Sequence, residues 1–124
     1  MINKGILQHC HKEGFTDGEL YGAYKIFFGT LVSESRLKII NILRKGKKNV
    51  SELISELEMN QTAISHDLKR LRDCGFVVAE REGKFVNYSL NDSSIKPLME
   101  IIEKHMSFYC IHILRSMIGG KKDE

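Results

Sequence analysis

Three groups of side chains in this 124-residue sequence are of types and spacings that do chemistry. The first is the string Asn60-Gln-Thr-Ala-Ile-Ser-His-Asp-Leu-Lys-Arg70, where Ile64, Leu68 and Leu71 recur at helical steps. Turning those three inward leaves Gln61, Thr62, Ser65, His66 and Lys69 on one outward face. Short hydrogen-bonding groups on the N-terminal half of such a helix suit base edges in a major groove, while Lys69 and Arg70, with Arg72 behind them, have the charge and reach for phosphates. An ordinary solvated helix face has a similar composition. The second group, Arg81 and Lys84 in Arg81-Glu-Gly-Lys84, lies between two runs that alternate with period two. A guanidinium there suits a narrow, negative minor groove. The third group is soft: His9-Cys-His11 near the start, and His105, Cys110 and His112 towards the end. Sulfur with imidazole selects zinc, cadmium or copper(I) over magnesium or calcium. On one straight helix these last three do not converge, since residues 105 and 112 stand ~10.5 Å apart along the axis and residues 110 and 112 differ by ~200° around it. A site would need a bend, a second protomer, or the His9-Cys-His11 arm alongside. Interfacial His and Cys with a plain N-terminal arm explain the same residues equally simply.

The elements that must position these groups are legible from periodicity. Leu20, Ala23, Tyr24, Phe27, Phe28 and Leu31 mark the apolar face of a first helix. Ser33 or Ser35 caps a second, Arg36 to Leu43, with Leu37, Ile40 and Leu43 inward and Gly46 ending it. A short third helix carries Leu53, Ile54 and Leu57. After a break at Glu58–Gln61 comes the fourth, from Gln61 to Asp73, with Gly75 just beyond its end. The period then changes from 3.6 to 2: Phe76–Glu80 and Phe85–Leu90 read as strands joined by Arg81–Lys84, with Gly83 available for a positive φ. Asp92, Ser93 or Ser94 caps a long last helix whose apolar face runs through Ile95, Leu98, Met99, Ile102, Met106, Tyr109 and Ile113, and Pro97 fits its first turn. Gly119, Gly120 and the charged end are expected to fray. Two short helices with a tight turn followed by a β-ribbon make a winged helix-turn-helix, mainly α with a β-hairpin wing. The outer helices are apolar beyond what so small a core needs, which points to a homodimer built from the first and last helices.

Composition narrows the function classes. The chain suits one domain, divided here into an N-terminal arm (1–15), a winged-helix DNA-binding and dimerisation domain (16–118) and a C-terminal tail (119–124). The longest stretch free of Asp, Glu, Lys and Arg, His105–Leu114, is far short of a membrane span, and residues 1–10 lack the apolar core of a secretion signal. Three widely spaced cysteines argue against a disulfide framework and for a reducing, cytoplasmic setting. The net charge of +3 comes from the middle: residues 36–84 carry eleven basic and seven acidic side chains, and the flanks add nothing positive. That is where a nucleic-acid footprint belongs. No Gly-rich phosphate loop and no catalytic Ser, His, Asp spacing appears, so an enzyme is not expected.

Ser35-Arg-Leu-Lys-Ile-Ile-Asn-Ile-Leu43, Val50-Ser-Glu-Leu53, Gln61-Thr-Ala-Ile-Ser-His-Asp-Leu-Lys-Arg-Leu71, Asp73-Cys-Gly-Phe-Val77 and Tyr88-Ser-Leu90 together resemble the ArsR/SmtB-type transcriptional repressors over roughly residues 20–106. The resemblance implies a homodimer that binds double-stranded operator DNA and is released when an inducer, often a metal ion, binds. Residue by residue, the family's metal sites transfer poorly. Asn49 and Ser51 stand where an arsenic/cadmium/lead-type site has thiolates. Asp92, Ser94, His105 and Phe108 stand where a zinc-type site has one Asp and three His, leaving two ligands of four. Cys74 and Cys110 match a cadmium/lead-type pattern loosely, but Arg70 occupies its third place. Cys74 also falls on the Ile64, Leu68, Leu71 face, where a structural thiol is the default. The reading is therefore a DNA-binding repressor derepressed by a thiophilic metal. A redox-responsive or inducer-independent regulator, or a winged-helix protein-interaction module, are the alternatives.

Overall fold

In the computed structural model of the chain, residues 8–9 and 12–122 are described, the side chains as far as residue 118. Helix α1 (Asp17–Leu31) starts at a reciprocal cap: the Glu19 N–H donates to Thr16 Oγ1 at 3.2 Å, and the Thr16 N–H donates back to Glu19 Oε1 at 2.9 Å. That backbone hydrogen bond from Thr16 holds the Glu19 carboxyl below its usual range. Helix α2 (Glu34–Leu43) is capped by Ser33, and α3 (Val50–Leu57) by Asn49 in a second reciprocal pair with Glu52. Glu58, in the left-handed region at φ 55°, turns the chain out of α3 within three residues. Helix α4 (Gln61–Asp73) follows, capped by the Asn60 side chain, which accepts from the Ala63 N–H at 2.8 Å. Gly75 at φ 78° ends it, and the Phe76 N–H closes back onto the Leu71 carbonyl at 2.8 Å.

Strands β2 (Val77–Glu82) and β3 (Phe85–Leu90) form the hairpin, and helices α5 (Ile95–Phe108) and α6 (Cys110–Lys122) complete the chain. The core is built where these elements meet. Ile39, Ile40 and Leu43 of α2, Leu53 of α3, and Ile64, Leu68 and Leu71 of α4 close over Phe76, Val77, Leu90, Ile95 and Met99. Each such side chain contributes roughly 1.5–3 kcal/mol when fully buried. Among the described residues, Asp67 is the one charged side chain that is buried.

The winged helix-turn-helix expected from the residues is the architecture observed, with several local differences. A two-residue strand β1 (Lys48–Asn49) pairs with β3 through Lys48↔Tyr88 and Asn49↔Asn87, making a three-stranded antiparallel sheet in the order β1-β3-β2. Two residues are too few to show an alternation, so the sequence carries no sign of it. The wing turn is tighter than Arg81–Lys84: β2 runs on through Arg81 and Glu82, which face Val86 and Phe85, leaving only Gly83 and Lys84 in the turn. Gly83 has φ 63°, as the first central residue of a II′ hairpin requires. In α2 the fully buried residues are Ile39, Ile40 and Leu43, and Leu37 is half-buried, because the helix packs against α4 on one side and β3 on another. The long last helix is broken at Tyr109 (φ −127°, ψ −60°) into α5 and α6. Ser94 is its N-cap position but gives no side-chain cap bond, and Asp92 is exposed. The helical backbone of α6 continues through Gly119 and Gly120 to Lys122.

Candidate nucleic-acid interface

Helix α4 owes its two-sidedness to its own sequence. Ile64, Leu68 and Leu71 are 0–1% exposed against the core, and this fixes which residues face outward. Gln61, Thr62, Ser65, His66 and Lys69 are all exposed. Among the described residues, the side chains of Gln61, Thr62, Ser65 and His66 make no hydrogen bond, so their donors and acceptors are open to an incoming edge. Lys69 Nζ bonds Asp73 Oδ2 at 2.8 Å, one turn on, and holds that carboxyl below its usual range. Both side chains are exposed, and such a pair is worth at most a few tenths of a kcal/mol.

Arg70 is placed differently. Its Nε–H donates to the Thr30 hydroxyl oxygen at 2.9 Å, across the α1–α4 contact, so its head group lies on α1. Next to it, Arg36 Nη1 and the Ser35 hydroxyl donate to the two oxygens of Asp67 at 3.2 and 2.6 Å. Sequence reasoning passed over Asp67, Arg36 and Thr30. The available sign was Asp67 itself, a charge three residues after Ile64 and four before Leu71 on an otherwise apolar stripe.

On the hairpin, Arg81 and Lys84 are exposed and engage no hydrogen bond or ion pair among the described residues. Between them Glu82 accepts from Lys47 Nζ at 2.7 and 2.9 Å and from the Asn87 amide, and these bonds hold its carboxyl below the usual range. The wing is thus tied back to the segment between α2 and β1, and Lys47 is occupied there. Lys48 pairs with Glu56 at 3.4 Å, whereas Lys45 is exposed.

Among the described residues, the soft donors do not converge within one chain. His9 is exposed, and Cys10 and His11 lie outside the described residues. His105 packs its ring on Tyr109, centroids 4.7 Å apart, just before the break, while Cys110 and His112 are exposed beyond it. Among the described residues no three His, Cys, Asp or Glu side chains gather as a metal would need. Cys74 is half-buried against the core, 3.2 Å from the Thr30 hydroxyl, and lines a hollow of about 290 Å³ with Ala23, Ile26, Phe27 and Asp73. Among the described residues no helix is long and apolar enough to cross a membrane.

Comparison with known proteins bears directly on this face. The family model described as bacterial regulatory protein, arsR family, matches residues 33–78, from the cap of α2 into β2. Over 70 residues the chain is 40% identical to the HTH-type transcriptional regulator NmtR of Mycobacterium tuberculosis, covering 56% of this chain and 58% of that protein. Over 73 residues it is 33% identical to a probable mercury resistance operon repressor of Streptomyces lividans, covering 59% and 58%. The chain thus spans less than two thirds of the length of these two relatives. It is also 32% identical to the arsenical resistance operon repressor of Bacillus subtilis over 85 residues, 68% of this chain and 81% of that one. The crystal structure of Rv0081 from M. tuberculosis superposes with a TM-score of 0.72 at 28% identity, covering 77% of this chain and 96% of the other.

Proposed function

Since this chain belongs to the arsR family of bacterial regulatory proteins, we propose that it is a DNA-binding transcriptional repressor acting as a homodimer on an operator. One observation carries the reading: α4 buries Ile64, Leu68 and Leu71 completely while presenting Gln61, Thr62, Ser65 and His66 with unengaged polar groups. The outer face of α4 is thereby open to a contact outside the chain, and its mix of short hydrogen-bonding groups followed by Lys69 suits a duplex groove. With α4 in the major groove, Gln61, Thr62, Ser65 and His66 face base edges and Lys69 faces a phosphate. Arg81 and Lys84 on the wing take the flanking backbone or minor groove.

Two α4 helices must be spaced to enter successive major grooves, ~34 Å apart. The exposed aromatic row Tyr21, Tyr24 and Phe28 on α1, and Ile101, Met106, Phe108 and Tyr109 around the α5–α6 break, supply the apolar surface for the second copy. Relatives named for mercury and arsenical resistance support a thiophilic inducer such as zinc, cadmium or copper(I). His105, Cys110 and His112 of one protomer do not form such a site, so a site built on them requires donors from the second copy or from the His9-Cys10-His11 arm.

The deciding experiment selects binding sites from random duplexes and then measures affinity for the selected site by fluorescence anisotropy across salt concentrations. A palindromic consensus, with log K falling linearly in log salt, is the expected result. Absence of any enriched sequence, or affinity indifferent to salt, would reject the reading in favour of a protein-docking role for the same face.

A further inference from the structure

Polar groups are concentrated where the last turn of α1 meets α4. Thr30, in the last turn of α1, is fully buried. Its hydroxyl proton goes to the Ile26 carbonyl at 2.8 Å, which leaves the oxygen lone pairs free to accept the Arg70 Nε–H at 2.9 Å. The Arg70 head lies against the same turn, with Nη2 4.0 Å from where a Cβ on Gly29 would stand. Alongside, Arg36 donates through Nε to the Thr30 carbonyl at 2.7 Å, through Nη2 to the Gly29 carbonyl at 3.3 Å, and through Nη1 to Asp67 at 3.2 Å. Two carbonyls at the end of α1, those of Gly29 and Thr30, thus accept from the Arg36 guanidinium, where the helix dipole is negative. Asp67 and Arg70 are three residues apart on α4, so both tethers leave the same side of that helix.

Apolar packing of Ile64, Leu68 and Leu71 holds α4 against the core but is non-directional, and by itself tolerates some rotation or tilt of the helix. Hydrogen bonds at these distances are directional. A buried carboxylate is also a poor means of adding stability, because desolvation takes back much of what pairing gives. The residues are better explained by orientation. We propose that Arg70 and Asp67 are positioning residues: through Thr30 and Arg36 they lock the rotation of α4 to α1, the helix offered for dimerisation, so that the base-reading face is aimed by the dimer. Arg70 then acts on DNA through Thr30 rather than by touching phosphate. This inference rests on the reading of α4 as the DNA-contacting helix.

The test compares Thr30→Val, which keeps the shape and removes the acceptor, with Thr30→Ser, Arg70→Gln and the Thr30→Val/Arg70→Gln double variant. The full-length protein is used on its selected operator and on random duplex. Thr30→Val and Arg70→Gln should each weaken operator binding by about tenfold, the scale of one hydrogen bond to a charged group, with random DNA much less affected. The double variant should be no worse than either single, Thr30→Ser should restore binding, and the salt slope should stay at its wild-type value. An Arg70→Gln variant whose salt slope falls by ~0.9 while Thr30→Val binds normally would make Arg70 a phosphate contact and overturn the proposal. So would losses that multiply in the double variant, or equal losses on both DNAs accompanied by a lowered Tm. Arg70 is exposed, so its variant keeps the test decisive if Thr30→Val folds poorly. Wild-type protein that selects no DNA at all would instead refute the underlying function, an outcome distinct from each of these.

Discussion

Neighbouring residues on α4 are assigned different work by where their atoms end. Ser65 and Gln61 point outward with open hydrogen-bonding groups, Lys69 is loosely held by Asp73, and Arg70 is taken up by Thr30. Ser65→Ala and Gln61→Ala should each cost roughly 1–3 kcal/mol on the operator and far less on random duplex, because base contacts carry discrimination. Lys69→Ala should weaken both DNAs and lower the salt slope by about one contact, which anisotropy titrations at several salt concentrations will show. Equal effects of all three substitutions on both DNAs would mean that another face reads the sequence. Cys110, exposed beyond the Tyr109 break, offers a second residue-scale test. If it belongs to an inducer site, Cys110→Ser should bind operator as wild type does when metal-free, yet require at least tenfold more zinc, cadmium or copper(I) for release under anaerobic titration. Unchanged release would remove it from the site.

Elements are held in place by their ends as much as by their apolar faces. Asn60 caps α4 at the terminus that carries Gln61 and Thr62. Asn60→Ala should destabilise the fold by ~1 kcal/mol in denaturant titration and loosen the turn that presents those two side chains. The junction between α2 and α5 is electrostatic: Arg44 Nη1 donates to Glu103 Oε2 at 2.5 Å. That bond, reinforced by the charge of Arg44, holds the Glu103 carboxyl below its usual range. A carboxylate whose folded pKa is depressed stabilises the fold above its unfolded value of about 4.3, and the contribution disappears as pH falls through the lower folded value. The pair is partly exposed, so ~0.2–1 kcal/mol is the expected size. Wild type should therefore melt slightly above Glu103→Gln at pH 7, and the two curves should converge as pH falls through the lowered value of the Glu103 carboxyl. A gap that persists at low pH would mean that packing, not charge, accounts for the difference.

At the scale of the molecule, the surface is uneven. Tyr21, Tyr24 and Phe28 form a row of contacting rings on α1, centroids 5.9 and 6.5 Å apart, and remain about half exposed. Past the Tyr109 break, Ile111, Ile113, Leu114, Met117 and Ile118 are exposed on α6 as well. A charge in the aromatic row should act on assembly before it acts on the fold. Phe28→Glu should shift sedimentation from dimer to monomer, keep the circular dichroism spectrum, and reduce operator affinity at least a hundredfold, since a monomer reads one half-site. A Phe28→Glu variant that still sediments as a dimer would place the interface elsewhere.

Periodicity and turn chemistry were enough to read the first four helices and the hairpin after them, the bounds of α4, the role of Gly75 and the outward set Gln61, Thr62, Ser65, His66 and Lys69, because these follow from interactions within a few residues along the chain. The buried trio Ile64, Leu68 and Leu71 repeats at helical spacing, and a helix so patterned has one way to face a core. What required the fold was every feature set by partners distant in sequence. Strand β1 exists only because β3 lies beside it, forty residues away. The short wing turn is fixed by the register of β2 on β3, and the break at Tyr109 interrupts a pattern that reads as one continuous helix. Arg70 looks like a phosphate contact in the sequence and is drawn to Thr30 by a hydrogen bond spanning forty positions. Local spacing determines which face a side chain leaves from; only the packed chain decides what its terminal atoms meet, because hydrogen bonds and ion pairs are made at specific distances and angles that no single element supplies.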